Sequence, residues 1–428
     1  MIVGLIGQMA LEMIDMAMIG RVGVTPLAAA AFGGTINGSL LLFGAGLCIP
    51  VHVLMAQAYG AGKVKHLSQI LGHSIWVILG FSSSVAIGLH IGIDFLDWFG
   101  QVPAVADAAK PYTQLLAWSI IPSLFYQCFK NCFEALNRPW VPFNILVLGL
   151  VTNVFLNWVL IFGNLGFPAL GLEGAGIATL VTRSLMLVGL GAIMFYLYPG
   201  FKLEREILSI FKINISLIKK ILAIGLPGAM QIIFQAGAFY MATFMMGWIN
   251  ENTLAAHQIV LKSASLLFMI PLGISFGISI RIGQAAGRGD SQSIKDIGFS
   301  GISFTGMLMG LIGILFFFLR YQVAELFIND QVVVDIAAQL LVLVAFVQIF
   351  DSVHIACLGA LRGLADVKVA ALFLLIIFWG ISLPIGYWLA FHFNLGELGI
   401  WLGLTCGLIL AALVLIARFS YVIKERRA

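Results

Sequence analysis

Two carboxylates of this chain sit inside long apolar runs. Asp15 lies in the middle of segment 1–20. Asp351 lies in the run Gln348-Ile349-Phe350-Asp351-Ser352-Val353-His354. A charge at the middle of a bilayer costs about 2.5–3.5 kcal/mol on insertion scales, so each acid needs a partner or a role. No basic residue precedes Arg21 on the first segment, which favours ion binding by Asp15 over a structural salt bridge. Asn153 and Asn157 are four residues apart and therefore share a helix face. Thr179 follows on the next segment, in a Gly-Ile-Ala-Thr run. One carboxylate with neutral amide and hydroxyl oxygens is the donor set of a hard-cation cage, and the same pocket could hold a proton instead. The plainer reading is polar residues hydrogen-bonding between helices. His354, three residues after Asp351, can pair with it or titrate near neutral pH.

Other polar residues carry weaker signals. Lys130 and Glu134 have the spacing of an intrahelical ion pair. Lys262 and Arg183 suit snorkelling or pairing across helices, with no site role. His52, His73 and His90 are scattered and read as hydrogen-bonded helix residues. All five cysteines lie in apolar segments, and none has the spacing of a zinc site. The abundant aromatics would suit cation–π contacts in a substrate cavity, with Tyr240 the residue singled out. Gly60-Ala61-Gly62-Lys63 resembles the end of a phosphate loop, but Gln57 and Val64 break the pattern. The chain has no nucleotide-binding domain, nothing that marks an enzyme and no cofactor motif.

These residues must be positioned by helices in a membrane. The 428 residues are 61% hydrophobic and only 10% charged, against about 25% charged in soluble proteins. A helix crosses the apolar core with about 20 residues and satisfies its own backbone there. The pattern predicts about twelve such helices, near 1–20, 27–58, 68–96, 107–134, 141–163, 171–198, 217–248, 253–285, 293–319, 330–361, 367–392 and 396–422. Pro50, Pro122, Pro227, Pro271 and Pro384 are candidate kinks. Segment 1–20 carries no signal-peptide features, and its natural helix is expected to begin upstream of Met1. Alternate connections hold most of the Lys and Arg, whereas the opposite ones hold only Arg21, Lys110 and Arg320. Positive-inside logic places both termini in the cytoplasm of a multi-pass inner-membrane protein. The net charge of +4 thus reflects loops, not a nucleic-acid surface. The longest connection, 199–216, predicts an interfacial linker helix between an N-terminal bundle (1–198) and a C-terminal bundle (217–428).

The two halves repeat. Leu27-Ala28-Ala29 recurs as Leu254-Ala255-Ala256, Gly20 as Gly247, and Gln8 as Gln235, all in one register. Glu134-Ala135-Leu136 pairs with Gly359-Ala360-Leu361 in a slightly different one. Six helices per copy give both copies the same polarity, an arrangement that secondary transporters use. In these registers Asp15 falls opposite Ala242, and Asp351 opposite Tyr126. The scaffold is duplicated and the acids are not.

The pieces Ile14-Asp15-Met16-Ala17-Met18-Ile19-Gly20, Leu254-Ala255-Ala256-His257-Gln258-Ile259, Pro271-Leu272-Gly273-Ile274-Ser275 and Ala360-Leu361-Arg362-Gly363, in this order, resemble a multidrug and toxic compound extrusion (MATE) transporter of the NorM-type branch. The resemblance spans the whole chain. It implies a V-shaped pair of six-helix bundles, alternating access, and export of organic cations by a monomer, driven by inward Na+ or H+. Asp15, Asn153, Asn157 and Thr179 match the family's N-lobe cation site, so Na+ is a possible ligand there. Some relatives have a second acid where this chain has Asn157, so the local negative charge is lower here. Asp351, with His354, matches a C-lobe acid that would form a second coupling or substrate site. Gln235 stands where the branch has a glutamate, which puts a two-acid C-lobe site in doubt. Rival readings are a lipid-linked precursor flippase of the same superfamily, which would want more intramembrane Lys and Arg, and a channel or receptor-like protein.

Overall fold

The computed structural model describes residues 1–197 and 214–426. The expected linker helix over 199–216 lies almost entirely outside them. Each expected apolar segment forms a helix. The first half holds α1 (Ile2–Gly20), α2 (Val24–Leu47), α3 (Ile49–Gly60), α4 (Val64–Ile91), α5 (Pro103–Ala135), α6 (Trp140–Phe162) and α7 (Gly171–Leu197). The second holds α8 (Ile215–Gly247), α9 (Glu251–Arg288), α10 (Ser291–Phe318), the short α11 (Arg320–Glu325), α12 (Gln331–Gly363), α13 (Val367–Leu375), α14 (Leu383–Phe391) and α15 (Gly396–Glu425). No strand occurs among the described residues.

Among the described residues, eleven spans are long and apolar enough to cross a membrane, counting α2–α3 and α13–α14 as one each. The remaining helix, α5, is 33 residues long and completes the twelve. It fails the apolar criterion because it is the polar centre of its bundle. It buries Tyr112, Thr113, Ser119, Lys130, Asn131 and Glu134, and a helix shielded by its neighbours need not be apolar all round.

The five prolines expected to kink their helices fall into two groups. Pro122, Pro227 and Pro271 are absorbed within continuous helices. Pro50 and Pro384 mark changes in backbone geometry. Cys48 separates α2 from α3, and Asn131 Nδ2 donates to the Cys48 carbonyl at 3.0 Å. Pro384 has no N–H to give the preceding turn, and Ile376–Ser382 widens into a π turn between α13 and α14. Trp379 of that turn donates from Nε1 to the Phe234 carbonyl at 3.0 Å.

Two compact units result. One comprises Val3–Ala229, and the other Met230–Ala428 with Met1–Ile2. The division falls inside α8 rather than in a loop. In the second unit, α15 presents Gly399, Gly403 and Gly407 at four-residue spacing. A Cβ on Gly403 would collide with the Gly386 backbone of α14, and one on Gly407 would lie 2.6 Å from Ser382 Cβ. This is small-residue packing, which lets two helix backbones touch where no hydrophobic effect drives association. Of the cysteines, Cys48, Cys128, Cys132 and Cys357 are buried, whereas Cys406 on α15 is exposed.

The structure corrects part of the repeat register. Helices α5 and α12 are both 33 residues long. Their C-terminal turns match bond for bond. Asn137 N donates to Glu134 O and Arg138 N to Phe133 O, just as Ala365 N donates to Arg362 O and Asp366 N to Leu361 O. Asn137 and Ala365 share the same left-handed conformation, with φ near 61° and 62°. Glu134 is therefore equivalent to Arg362, not Gly359, and Asp351 to Ser123, not Tyr126. The sequence match around Ala135-Leu136 was a coincidence of small apolar residues. The pairing of Asp15 with Ala242 stands with the match of Gly20 to Gly247, which end α1 and α8.

Candidate cation site

Helix α1 is sparsely packed. Its buried residues are Gly4, Asp15 and Ile19. The Asp15 side chain is only 8% exposed and points at α6 and α7. Asn157 Nδ2 donates to Asp15 Oδ1 at 2.5 Å and to Asn153 Oδ1 at 3.2 Å. Both amide protons of Asn157 are thereby used, which fixes its orientation. Its Oδ1 is left buried with no donor, and Asn153 Nδ2 is left without an acceptor. Thr179 Oγ1 lies 3.4 Å from Asp15 Oδ2 and 2.9 Å from the Ala175 carbonyl. A hydroxyl has one proton, and the shorter contact with Ala175 takes it. Thr179 Oγ1 and Asp15 Oδ2 then face each other as two acceptors. Oxygens about 2.4 Å from a hard cation and at right angles across it lie about 3.4 Å apart.

The arrangement therefore suits a cation and repels an anion. It holds one carboxylate, two amide oxygens and a hydroxyl oxygen, and one of the amide oxygens is unsatisfied. A buried acceptor without a donor costs roughly 1–3 kcal/mol, which a bound cation would recover. Among the described residues no group of three or more His, Cys, Asp or Glu could hold a metal ion, so any ion here relies mainly on neutral oxygens.

Two charged residues given no role by the sequence lie beside this site. Arg183 is one turn beyond Thr179 on the same face of α7, half-buried, and donates from Nη1 to Ser119 Oγ at 2.8 Å. Glu12 is one turn before Asp15 on α1 and is exposed. Arg183 and Glu12 are the charged groups whose fields act on Asp15, and they also act on each other. The phenol of buried Tyr112 feels all three. Arg183 pairs across helices, as the sequence reading allowed, and it also belongs to the surroundings of Asp15. It could not be paired with Asp15 beforehand, because only the packing of α7 against α1 sets their register.

The second acid is built differently. Asp351 Oδ1 lies 3.4 Å from Nδ1 of the fully buried His354, one turn along α12. The pair is close but misaligned, because Asp351 Oδ1 and both His354 nitrogens lack hydrogen-bond partners. Phe378 of the π turn meets the His354 ring edge to face, at 6.2 Å. Gln235 is half-buried on α8, and no hydrogen bond joins it to Asp351 among the described residues. Tyr240 is 52% exposed. Lys130 and Glu134 form the expected pair, buried at 3.8 Å.

Two networks in the second unit escaped the sequence. Buried Arg362 donates from Nε and Nη2 to Gln231 Oε1, at 3.1 and 3.0 Å, while Gln231 Nε2 donates to the Val367 carbonyl. Trp401 Nε1 donates to His257 Nδ1 at 3.2 Å. His257 Nε2 must then carry the proton and donate it to Thr243 Oγ1 at 3.0 Å. His257 is thus a fixed tautomer joining α8, α9 and α15.

About twelve apolar helices, with a carboxylate buried among polar side chains in the first unit, define the class of a polytopic membrane protein. The sequence model of the MatE family matches residues 1–159 and 227–388. The chain belongs to the MatE family, whose members are transporters and not enzymes. It is 33% identical over 421 residues to a probable multidrug resistance protein NorM of Mesorhizobium japonicum, covering 97% of this chain and 90% of the relative. A protein of the same name from Bradyrhizobium diazoefficiens is 34% identical over 418 residues, with the same shares. Among solved structures, a MATE protein in its bent conformation superimposes with a TM-score of 0.89 at 18% identity, covering 100% of this chain and 94% of that one. A eukaryotic MATE transporter gives 0.85 at 23% identity, with 98% and 94% coverage. These two likenesses concern the fold.

Proposed function

We propose that this protein is a multidrug efflux antiporter of the inner membrane. It exports organic cations in exchange for inward Na+ or H+ by alternating access. It works as a monomer with both termini in the cytoplasm. Its moving bodies are the bundles 1–198 and 217–428, joined by 199–216. The observation that carries the reading is the unsatisfied, buried Asn157 Oδ1 beside Asp15. Asp15, Asn153, Asn157 and Thr179 bind the coupling cation. Asp351, His354 and Gln235 of the second bundle supply a second coupling or substrate site, and Tyr240 lines the substrate path. The relatives named NorM support drug export as the activity.

Charge arithmetic bears on the stoichiometry. A unit charge crossing 100 mV yields about 2.3 kcal/mol. One monovalent cation exchanged for one monocationic drug moves no net charge, so voltage adds nothing. Two acids leave room for two coupling ions and a voltage-driven cycle. The test is ethidium efflux from proteoliposomes carrying an imposed Na+ or H+ gradient, each alone. Wild-type protein should export in at least one arm, and Asp15→Asn in neither. Undiminished gradient-driven export by Asp15→Asn would overturn the proposal.

A further inference from the structure

We propose that Glu12 is a binding residue of the Asp15 cation site, present because Arg183 would otherwise cancel the charge that attracts the cation. The inference rests on the reading of Asp15 as the coupling-ion carboxylate.

The geometry comes from two antiparallel helices. Thr179 of α7 meets Asp15 of α1. One turn further along α7 is Arg183, and one turn back along α1 is Glu12. On neighbouring helices running in opposite directions these steps lead to the same level. Residues three and four apart on a helix share a face, about 5–6 Å apart at Cβ. Glu12 and Arg183 therefore lie at the same level, one layer away from Asp15 and Thr179, with Arg183 turned to Ser119. Each feels the other's field, and both act on Asp15.

Counting charge shows what each residue does. Asp15 with Arg183 alone is a neutral pair, and a neutral pair has little hold on a monovalent cation. Glu12 returns the cluster to one net negative charge. A single bound cation then brings the cluster to zero, and no further charge enters it, since Tyr112, Asn153, Asn157 and Thr179 are neutral. Exposure supports the same role. Glu12 lies one turn from Asp15 within an apolar helix, where a carboxylate facing lipid would be costly. It is exposed without a hydrogen-bond partner among the described residues. A solvated polar path beside α1 satisfies both facts, with Glu12 as the first carboxylate the ion meets and Asp15 as the second. The buried Asn157 Oδ1, which has no donor, is an independent oxygen in the same cluster suited to a cation.

The test measures the half-saturating concentration of the driving ion for ethidium efflux, in separate Na+ and H+ arms, with full-length protein in proteoliposomes. In the arm wild-type protein uses, Glu12→Gln should raise that concentration about tenfold or more, as removal of a unit charge a few ångströms away predicts. Glu12→Asp should keep most of the wild-type affinity. The decisive variant is Glu12→Gln with Arg183→Gln, which restores one net negative charge and should return the concentration to within about threefold of wild type. Wild-type behaviour of Glu12→Gln would overturn the proposal, as would a double variant no better than the single. Asp15→Asn separates the two levels. If it is inactive while Glu12→Gln is normal, only the role of Glu12 falls. If Asp15→Asn itself transports normally, the underlying site assignment falls.

Discussion

The two membrane acids differ most in how they are held. Asp15 sits on a helix with little packing of its own and is fixed by one hydrogen bond from α6 and a close hydroxyl from α7. Asp351 sits on α12, which is buried along most of its length, and its near neighbour His354 belongs to the same helix. The first acid joins separate elements, so its ligation state is felt by several helices. The second reports only on its own turn of helix. A duplicated scaffold has thus come to hold one acid that connects helices and one that does not.

Several substitutions would sharpen or break this contrast. The largest effect belongs to the acids themselves. Asp15→Asn should abolish gradient-driven ethidium efflux, whereas Asp351→Asn should slow it severalfold and leave ion binding at the first site intact. Equal losses of ion binding in both variants would erase the distinction. Next is Asn157→Leu, which removes the unsatisfied Oδ1 from the oxygen cage. A polar contact to a charged group contributes about 1.5–3 kcal/mol, so Na+ affinity should fall about tenfold to a hundredfold. Isotopic Na+ binding would measure it.

Gly403→Ala tests the second unit's packing without touching an acid. The added Cβ would collide with the Gly386 backbone, and overpacking costs about 1–3 kcal/mol. A lowered thermal midpoint with unaltered ion affinity is the expected result. The smallest effect is expected from Asp290→Ala at the start of α10. Asp290 accepts from Ser293 N at 2.9 Å, and loss of such a cap costs about 1 kcal/mol. A slight drop in thermal midpoint with normal transport is the expected outcome.

Much of this was legible in the sequence because it is local. Apolar run lengths placed nearly every helix within a few residues, and the four-residue spacing of Asn153 and Asn157 put both on the face that meets Asp15. Properties that arise between helices were not legible. Glu12 and Arg183 needed the register of α1 against α7. His257 and Trp401 needed α9 against α15. Pro384 announced a disturbance, but not that it would take the form of a π turn aiming Phe378 at His354. The repeat register around α5 and α12 was misread because small apolar residues align almost anywhere, whereas the matching turns at Asn137 and Ala365 do not.

The exposure of Cys406 has a practical consequence. The other four cysteines are buried, and thiols shut inside apolar packing react slowly. A lipid-soluble maleimide should therefore mark the unmodified protein at one place, and slowly, since a thiol facing lipid forms little thiolate. That place adjoins Gly407, on the helix whose backbone rests directly against α14. With few side chains between the two helices to rearrange, a probe there would follow the pair as a whole and not the wobble of one side chain. The protein thus carries its own attachment point for spectroscopy, with no cysteine to remove and none to add.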